Sequence, residues 1–231
     1  MAFGDVSRSA TSPSDWPWGI GGDSSKIWHC DGSAAFRRIC ELKTSDLSMS
    51  RSAYISSYPS GAGGDSSKIW FSDTGTDMVY ELKTSDLSMS RSADFPAGDP
   101  AGIGGDSSVI WCCCPDTDKV YELKTSDLSA SRSAASPAGG PAGIGGDSSK
   151  IWHTDWNSIK VYELKTSDLS MSRSAASPAG GPAGIGGDSS KIWHCDTTAD
   201  KVYELDAAVP VVGLENKSAG MAAKMIAGKL I

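Results

Sequence analysis

Apolar positions in this chain come in short bursts and never in long runs. The fullest unit spans residues 141–175 and reads PAGIGGDSSKIWHTDWNSIKVYELKTSDLSMSRSA. Four short extended segments are predicted within it: residues 143–146, glycine-rich; 150–153, alternating around Ile and Trp; 160–164, KVYEL; and 170–175, polar with one Arg. β-Branched and aromatic residues fill the second and third segments, as strands favour. Asp-Ser-Ser follows the first segment, Thr-Ser-Asp the third, and Pro/Gly-rich loops the fourth, which is the chemistry of turns. No stretch within the units carries a sustained helical period.

The unit recurs. Trp28, Trp70, Trp111, Trp152 and Trp193 are spaced by 42, 41, 41 and 41 residues. A fixed period of this size belongs to solenoids, propellers or arrays, whose units must stack to bury their apolar faces. Four strands in about 41 residues match one blade of a β-propeller. The ends decide between ring and array. The last unit stops after KVYEL at Leu205 without its fourth strand, and residues 6–10, VSRSA, match residues 171–175, MSRSA. Joining strands from both termini removes open sheet edges. The expectation is therefore an all-β fold: a five-bladed β-propeller of four-stranded antiparallel blades over residues 1–206, with residues 3–10 and 185–206 sharing the fifth blade. The paired glycines 21–22, 63–64, 104–105, 145–146 and 186–187 are expected to keep side chains out of a tight centre.

Beyond the ring, residues 207–231 are expected to form a tail with a short amphipathic helix. Met221, Met225, Ile226 and Leu230 fall on one face of it, as candidate positions for assembly with another copy or another protein.

Composition narrows the partners. A net charge of −7 and a pI of about 4.9 disfavour a nucleic-acid surface. The apolar runs are too short for a transmembrane helix. The first ten residues lack the pattern of a signal peptide, which points to a cytoplasmic protein or to part of a released particle such as a virion. Cys30, Cys40, Cys112, Cys113, Cys114 and Cys195 do not all recur at one repeat position, so they read as free buried thiols.

The runs PAGIGGD, KIWHCD and KVYEL resemble the NHL and YVTN class of propeller repeats. That resemblance covers residues 3–206 and implies the fold. The class includes binding scaffolds, lyases and lactonases. The blade count is also similar to that of tachylectin-type sugar-binding propellers.

Comparison of the copies supplies the functional reading. ELKTSDLSMSRSA is near-verbatim at 41–53, 81–93, 122–134 and 163–175, and GGDSS occurs in all five units. Differences gather in the loop before each first strand and in the segment after each second-strand Trp. Alternating strand direction puts both variable segments on one face of the ring. That face carries Trp16, Trp18, Phe36, Arg37, Tyr54, Tyr58, Phe95 and Trp156, the candidate ligand-binding residues, since loop aromatics are good contact anchors for sugars or proteins.

Catalytic and metal patterns are wanting. There is no Ser-His-Asp set, phosphate loop or HExxH motif. His29, His153 and His194 share a strand position with Phe71 and Cys112, which suits packing. Asp23 and its four equivalents, and Asp31, Asp73, Asp155 and Asp196, read as turn formers. Neither a cofactor nor a metal is expected. The expectation is a non-catalytic propeller scaffold, a structural or assembly subunit showing a varied aromatic face to a partner or glycan. The alternatives are a sugar-binding lectin and a lactonase- or lyase-like enzyme.

Overall fold

The computed structural model describes residues 2–33 and 37–207. The expected tail helix, with Met221, Met225, Ile226 and Leu230, lies outside the described residues, as does Phe36. Five four-stranded antiparallel sheets are arranged as blades. Blade 1 holds β2 (Pro17–Gly22), β3 (Ile27–Asp31), β4 (Arg38–Leu42) and β5 (Met49–Tyr54). Blade 2 holds β6 (Pro59–Gly64), β7 (Lys68–Asp73), β8 (Met78–Lys83) and β9 (Met89–Asp94). Blade 3 holds β10 (Ile103–Gly105), β11 (Ile110–Cys114), β12 (Lys119–Leu123) and β13 (Ala130–Ala135). Blade 4 holds β14 (Pro141–Gly146), β15 (Ile151–Asp155), β16 (Lys160–Leu164) and β17 (Met171–Ala176). Blade 5 takes β18 (Pro182–Gly187), β19 (Lys191–Asp196) and β20 (Lys201–Asp206) from the end of the ring and β1 (Val6–Thr11) from its start. Ala10 lies opposite Val202 in that closing pair, so the ring closes as the ends of the sequence imply.

The first strands meet at the axis. A Cβ on Gly21 would stand 3.0 Å from the Gly63 Cα, and the chain of contacts runs on through Gly104, Gly145 and Gly186 back to Gly21 at 2.8–3.0 Å. The second glycine of each pair has a different role from the one expected. Gly22 has φ of 153°, and a Cβ there would lie 2.0 Å from the Lys26 carbonyl oxygen of its own turn. It permits the reversal into the second strand rather than clearing the centre.

Apolar residues fill the seams between blades. Trp28, Cys30 and Ile39 of blade 1 pack on Ile69, Phe71 and Leu82 of blade 2. Trp193, Cys195 and Val202 of blade 5 pack on Ile20, Ile27 and Leu42 of blade 1. All five repeat tryptophans are at most 1% exposed. The Trp28 indole also donates to the Asp65 carbonyl of the next blade at 2.9 Å. Polar clamps join the outer strands. Arg51 donates to Glu41 of its own blade at 2.7 Å and to the Ser85 carbonyl of the next at 2.8 Å. Arg132 does the same with Glu122 and Ser167. The run ELKTSDLSMSRSA is constant because it supplies both halves of this clamp.

The histidines and cysteines belong to this framework. His153 donates from Nδ1 to the Gly143 carbonyl at 2.8 Å and accepts from Ser136 at Nε2 at 3.0 Å. His29 and His194 make the equivalent pairs. Burial lowers all three to about 4. Cys112 and Cys114 face the seam with blade 2, and Cys113 the seam with blade 4. All six cysteines are buried and free. Burial pushes Cys40 up to about 11 and Cys113 up to about 12.

Three predictions follow from this packing. Gly63→Ala is expected to cost about 1–3 kcal/mol in urea unfolding, the range for overpacking, since its Cβ would meet the Gly104 Cα at 2.8 Å. Gly180→Ala, where a Cβ meets nothing within 4 Å, is the control. Unchanged stability in Gly63→Ala would mean that the axis is not closed in this way. Each histidine binds its proton in the unfolded chain near pH 6.5 but in the fold only near pH 4. Stability contributed by the neutral rings is therefore present above pH 6.5 and lost as pH falls towards 4, by up to about 1.4 kcal/mol per pH unit per histidine. His153→Phe, which copies Phe71, should remove about a third of the loss between pH 7.5 and 5; an unchanged pH profile would show that the ring protonates freely in the fold. A thiol reagent at pH 8 should leave the native protein unlabelled and label all six cysteines after unfolding. Rapid native labelling would contradict their burial.

Candidate functional site

Pairing in the blades defines where the variable loops arrive. Pro17 lies opposite Asp31, Pro59 opposite Asp73, Pro141 opposite Asp155 and Pro182 opposite Asp196. These pairs mark the end of the first two strands on the variable face. Three repeat positions surround each pair: the residue before the proline, the residue after it, and the residue after the aspartate. They read Trp16, Tyr58, Asp99, Gly140, Gly181; Trp18, Ser60, Ala101, Ala142, Ala183; and Gly32, Thr74, Pro115, Trp156, Thr197. Nearly all of them line one cavity of about 480 Å³ at the mouth of the axis, to which every blade contributes. The fold sets five equivalent places around this funnel, and the sequence makes them unequal. Most are small; three are tryptophan.

The tryptophans are held by local structure. Trp18 alternates outward on β2 between buried Pro17 and buried Gly19. Its ring covers Gly32, whose Cβ would lie 3.1 Å from it, and the Gly32 amide donates to the Trp16 carbonyl at 3.2 Å. Trp156 sits on a turn fixed by Asp155, which accepts from the Ser158 amide at 2.7 Å and the Gly140 amide at 2.9 Å. The Trp156 amide in turn donates to the Gly140 carbonyl at 2.8 Å. Trp16, Trp18 and Trp156 are 55%, 37% and 49% exposed, in contrast to the fully buried seam tryptophans.

Polar groups share the wall. Asn157 donates to the Gly139 carbonyl at 2.6 Å, which fixes its side chain at the rim. Asp99 is the ionisable side chain of the lining. Its backbone has φ of 43°, and its amide donates to Asp77 Oδ1 at 2.7 Å. Burial and then the carboxylates of Asp116 and Asp77 raise its carboxyl above the ordinary range. Asp99 and Asn157 were not among the residues expected from sequence. For Asp99 the signal was present: it replaces the glycine of copies four and five at the position before the proline.

The other expected residues go elsewhere. Tyr54 and Tyr58 line a second groove, at the seam between blades 1 and 2, and the Arg37 guanidinium lies 3.4 Å from the Tyr58 ring centre. Phe95 is buried in the seam between blades 2 and 3, edge-on to Tyr121 at 5.1 Å, and presents no surface to a ligand. Its apolar packing explains why a phenylalanine stands where the last two copies have serine. The recurring aspartates are turn groups. Asp23 Oδ1 accepts from the Ser25 and Lys26 amides, and its counterparts do likewise. Among the described residues no set of three His, Cys, Asp or Glu side chains is placed to hold a metal ion.

No protein-family model matches the chain, and no curated protein sequence does. Solved structures do match in fold. A glutaminyl cyclase from Myxococcus xanthus superposes with a TM-score of 0.71 at 9% identity, over 87% of this chain and 96% of that one. A virginiamycin B lyase from Staphylococcus aureus gives 0.52 at 22% identity, over 82% of this chain and 66% of that one. A nidogen/laminin complex gives 0.59 at 16% identity, over 83% and 76%. These likenesses support a five-bladed propeller, and none carries the NHL or YVTN label. They also correct the expectation of a non-catalytic protein. A cyclase and a lyase stand among the matches to this architecture, so missing hydrolase and phosphate motifs do not set catalysis aside.

Proposed function

We propose that the axial funnel is a ligand-recognition site and that its ligand is a glycan. One observation carries this reading: at positions that the fold repeats five times, the exposed tryptophans Trp16, Trp18 and Trp156 all stand on the wall of one cavity. A volume of about 480 Å³ suits a small ligand. Flat indole faces fit the apolar C–H face of a sugar ring, and Asp99, Asn157 and Thr197 offer partners for its hydroxyls. Because the five sites are unequal, one ligand per ring is expected rather than five.

A second reading adds chemistry in the same funnel. Asp99 favours it, since a carboxyl raised by burial and like charge is suited to general acid work. Asp99→Asn would then abolish conversion of a bound glycan while leaving its binding in place.

Tryptophan fluorescence and a glycan array test the first reading. Trp156→Ala and Trp16→Ala are each expected to weaken a glycan hit by about tenfold or more, as for a buried aromatic anchor. Val6→Ala, on the outer strand, should leave it unchanged. An array without hits, or a hit indifferent to both tryptophans, would reject the funnel as a glycan site.

A further inference from the structure

The aspartate at the end of the second strand has two oxygens with separate work. Asp31, Asp73, Asp155 and Asp196 are all at most 1% exposed. Their Oδ1 atoms hold the following turn: Asp31 accepts from the Ser33 amide, Asp73 from Gly75 and Thr76, Asp155 from Ser158, and Asp196 from Thr198 and Ala199. The second oxygen is satisfied in three of the four. In blades 4 and 5 it accepts from the Gly140 and Gly181 amides at 2.9 and 2.8 Å. In blade 1 it pairs with Arg38 at 3.5 Å. In blade 2, Asp73 Oδ2 is buried and has no hydrogen-bond partner. A buried carboxylate oxygen without a donor is costly.

Sequence accounts for the exception. Across the strand pair Asp31 faces Arg38, Asp155 faces Lys160 and Asp196 faces Lys201, but Asp73 faces Met78. The position before the proline, glycine in blades 4 and 5, is Tyr58. Blade 2 therefore lacks the cation of blade 1, and its Tyr58 amide does not donate as the Gly140 and Gly181 amides do.

Asp73 also lines a groove of about 530 Å³ at the seam between blades 1 and 2, beside Tyr54, Tyr58, Phe71, Tyr80 and Met89. Phe71 and Tyr80 stack face to face at 4.4 Å and 5°, and both line the groove wall. Tyr54 is 72% exposed at the edge. Arg37 does not serve Asp73: its guanidinium lies over Tyr58, and no ion pair joins the two among the described residues. The groove thus pairs an apolar volume with one buried acceptor at the place where blade 1 holds a cation.

We propose that this groove is a ligand site separate from the axial funnel, and that it takes a small organic cation. The ammonium group donates to Asp73 Oδ2, and a flat apolar body lies along Tyr54 and the Phe71–Tyr80 wall. Aromatic faces add attraction for the positive charge.

The probe is 2-phenylethylammonium, with neutral 2-phenylethanol as its isostere, followed by calorimetry and by ligand-observed NMR on the full chain. Wild-type protein is expected to bind the ammonium at least about tenfold more tightly than the alcohol, in keeping with one charge-assisted hydrogen bond. Asp73→Asn should remove that preference. Met78→Arg restores the basic residue that pairs with the aspartate in blade 1, so it should abolish ammonium binding while the protein remains folded and its melting temperature does not fall. Melting curves of both variants separate loss of the site from loss of the fold. Ammonium binding that survives both substitutions overturns the proposal. So does a wild type that binds no ammonium at millimolar concentration.

Discussion

The absence of room at the axis governs this molecule. Five first strands approach until one Cα lies within van der Waals reach of the next blade's missing Cβ. Only glycine fits that ring. With the inner ends fixed, twisted sheets splay as they run outward, and the space between them widens from nothing to the width of an indole. The repeat tryptophan fills that widening gap. Its ring lies on the next blade, and in four seams its N–H reaches the next blade's Asp carbonyl. Further out, where water enters, apolar filling gives way to the Arg–Glu clamp.

The same gradient explains why the faces differ in variability. On one face the turn after the first strand and the turn after the third are tied to a neighbour. The Asp188 carboxylate accepts from the Ser24 amide of the next blade, and Arg51 reaches the Ser85 carbonyl. A change there disturbs two blades at once. On the opposite face the connections are free to differ, provided that each keeps its proline, with an aspartate across from it in every blade but the third. Constancy and variation thus mark seam constraint and its absence. They do not by themselves mark assembly and recognition.

Much of this was legible in the chain because repeats expose the role of each position. Period, strand count and ring closure follow from Trp spacing and from the split fifth unit. The turn role of the aspartates and the opposed direction of Cys113 follow from local geometry. Other features were not legible, because they depend on how far a loop leans. Trp16, Tyr54 and Phe95 all read as loop aromatics. The first stands at the axis, the second ends β5 with its side chain outward at a seam, and the third follows β9 directly and turns into the next seam. The central glycines were read correctly as a group and wrongly as pairs, because positive φ at Gly22 is a property of the turn rather than of composition.

Near-identical copies also give each blade an internal control, and departures from the pattern divide by how the molecule absorbs them. Blade 3 has Val109 where others have lysine, and Glu122 is held by Arg132 and by the Ser131 hydroxyl, which donates to its Oε1 at 2.8 Å. Its side chain is 25% exposed against 5–10% for the other clamp glutamates. Trp70 is the repeat tryptophan whose indole N–H is buried without an acceptor, and nothing in the structure explains it. Asp73 differs from both. It is sealed from bulk water, yet it borders an open volume. A missing partner at the surface is replaced by solvent, and one inside a packed seam is a cost to stability. A missing partner beside an aromatic groove is neither, and among the described residues this distinction, more than aromatic content, sets the blade 1–blade 2 seam apart.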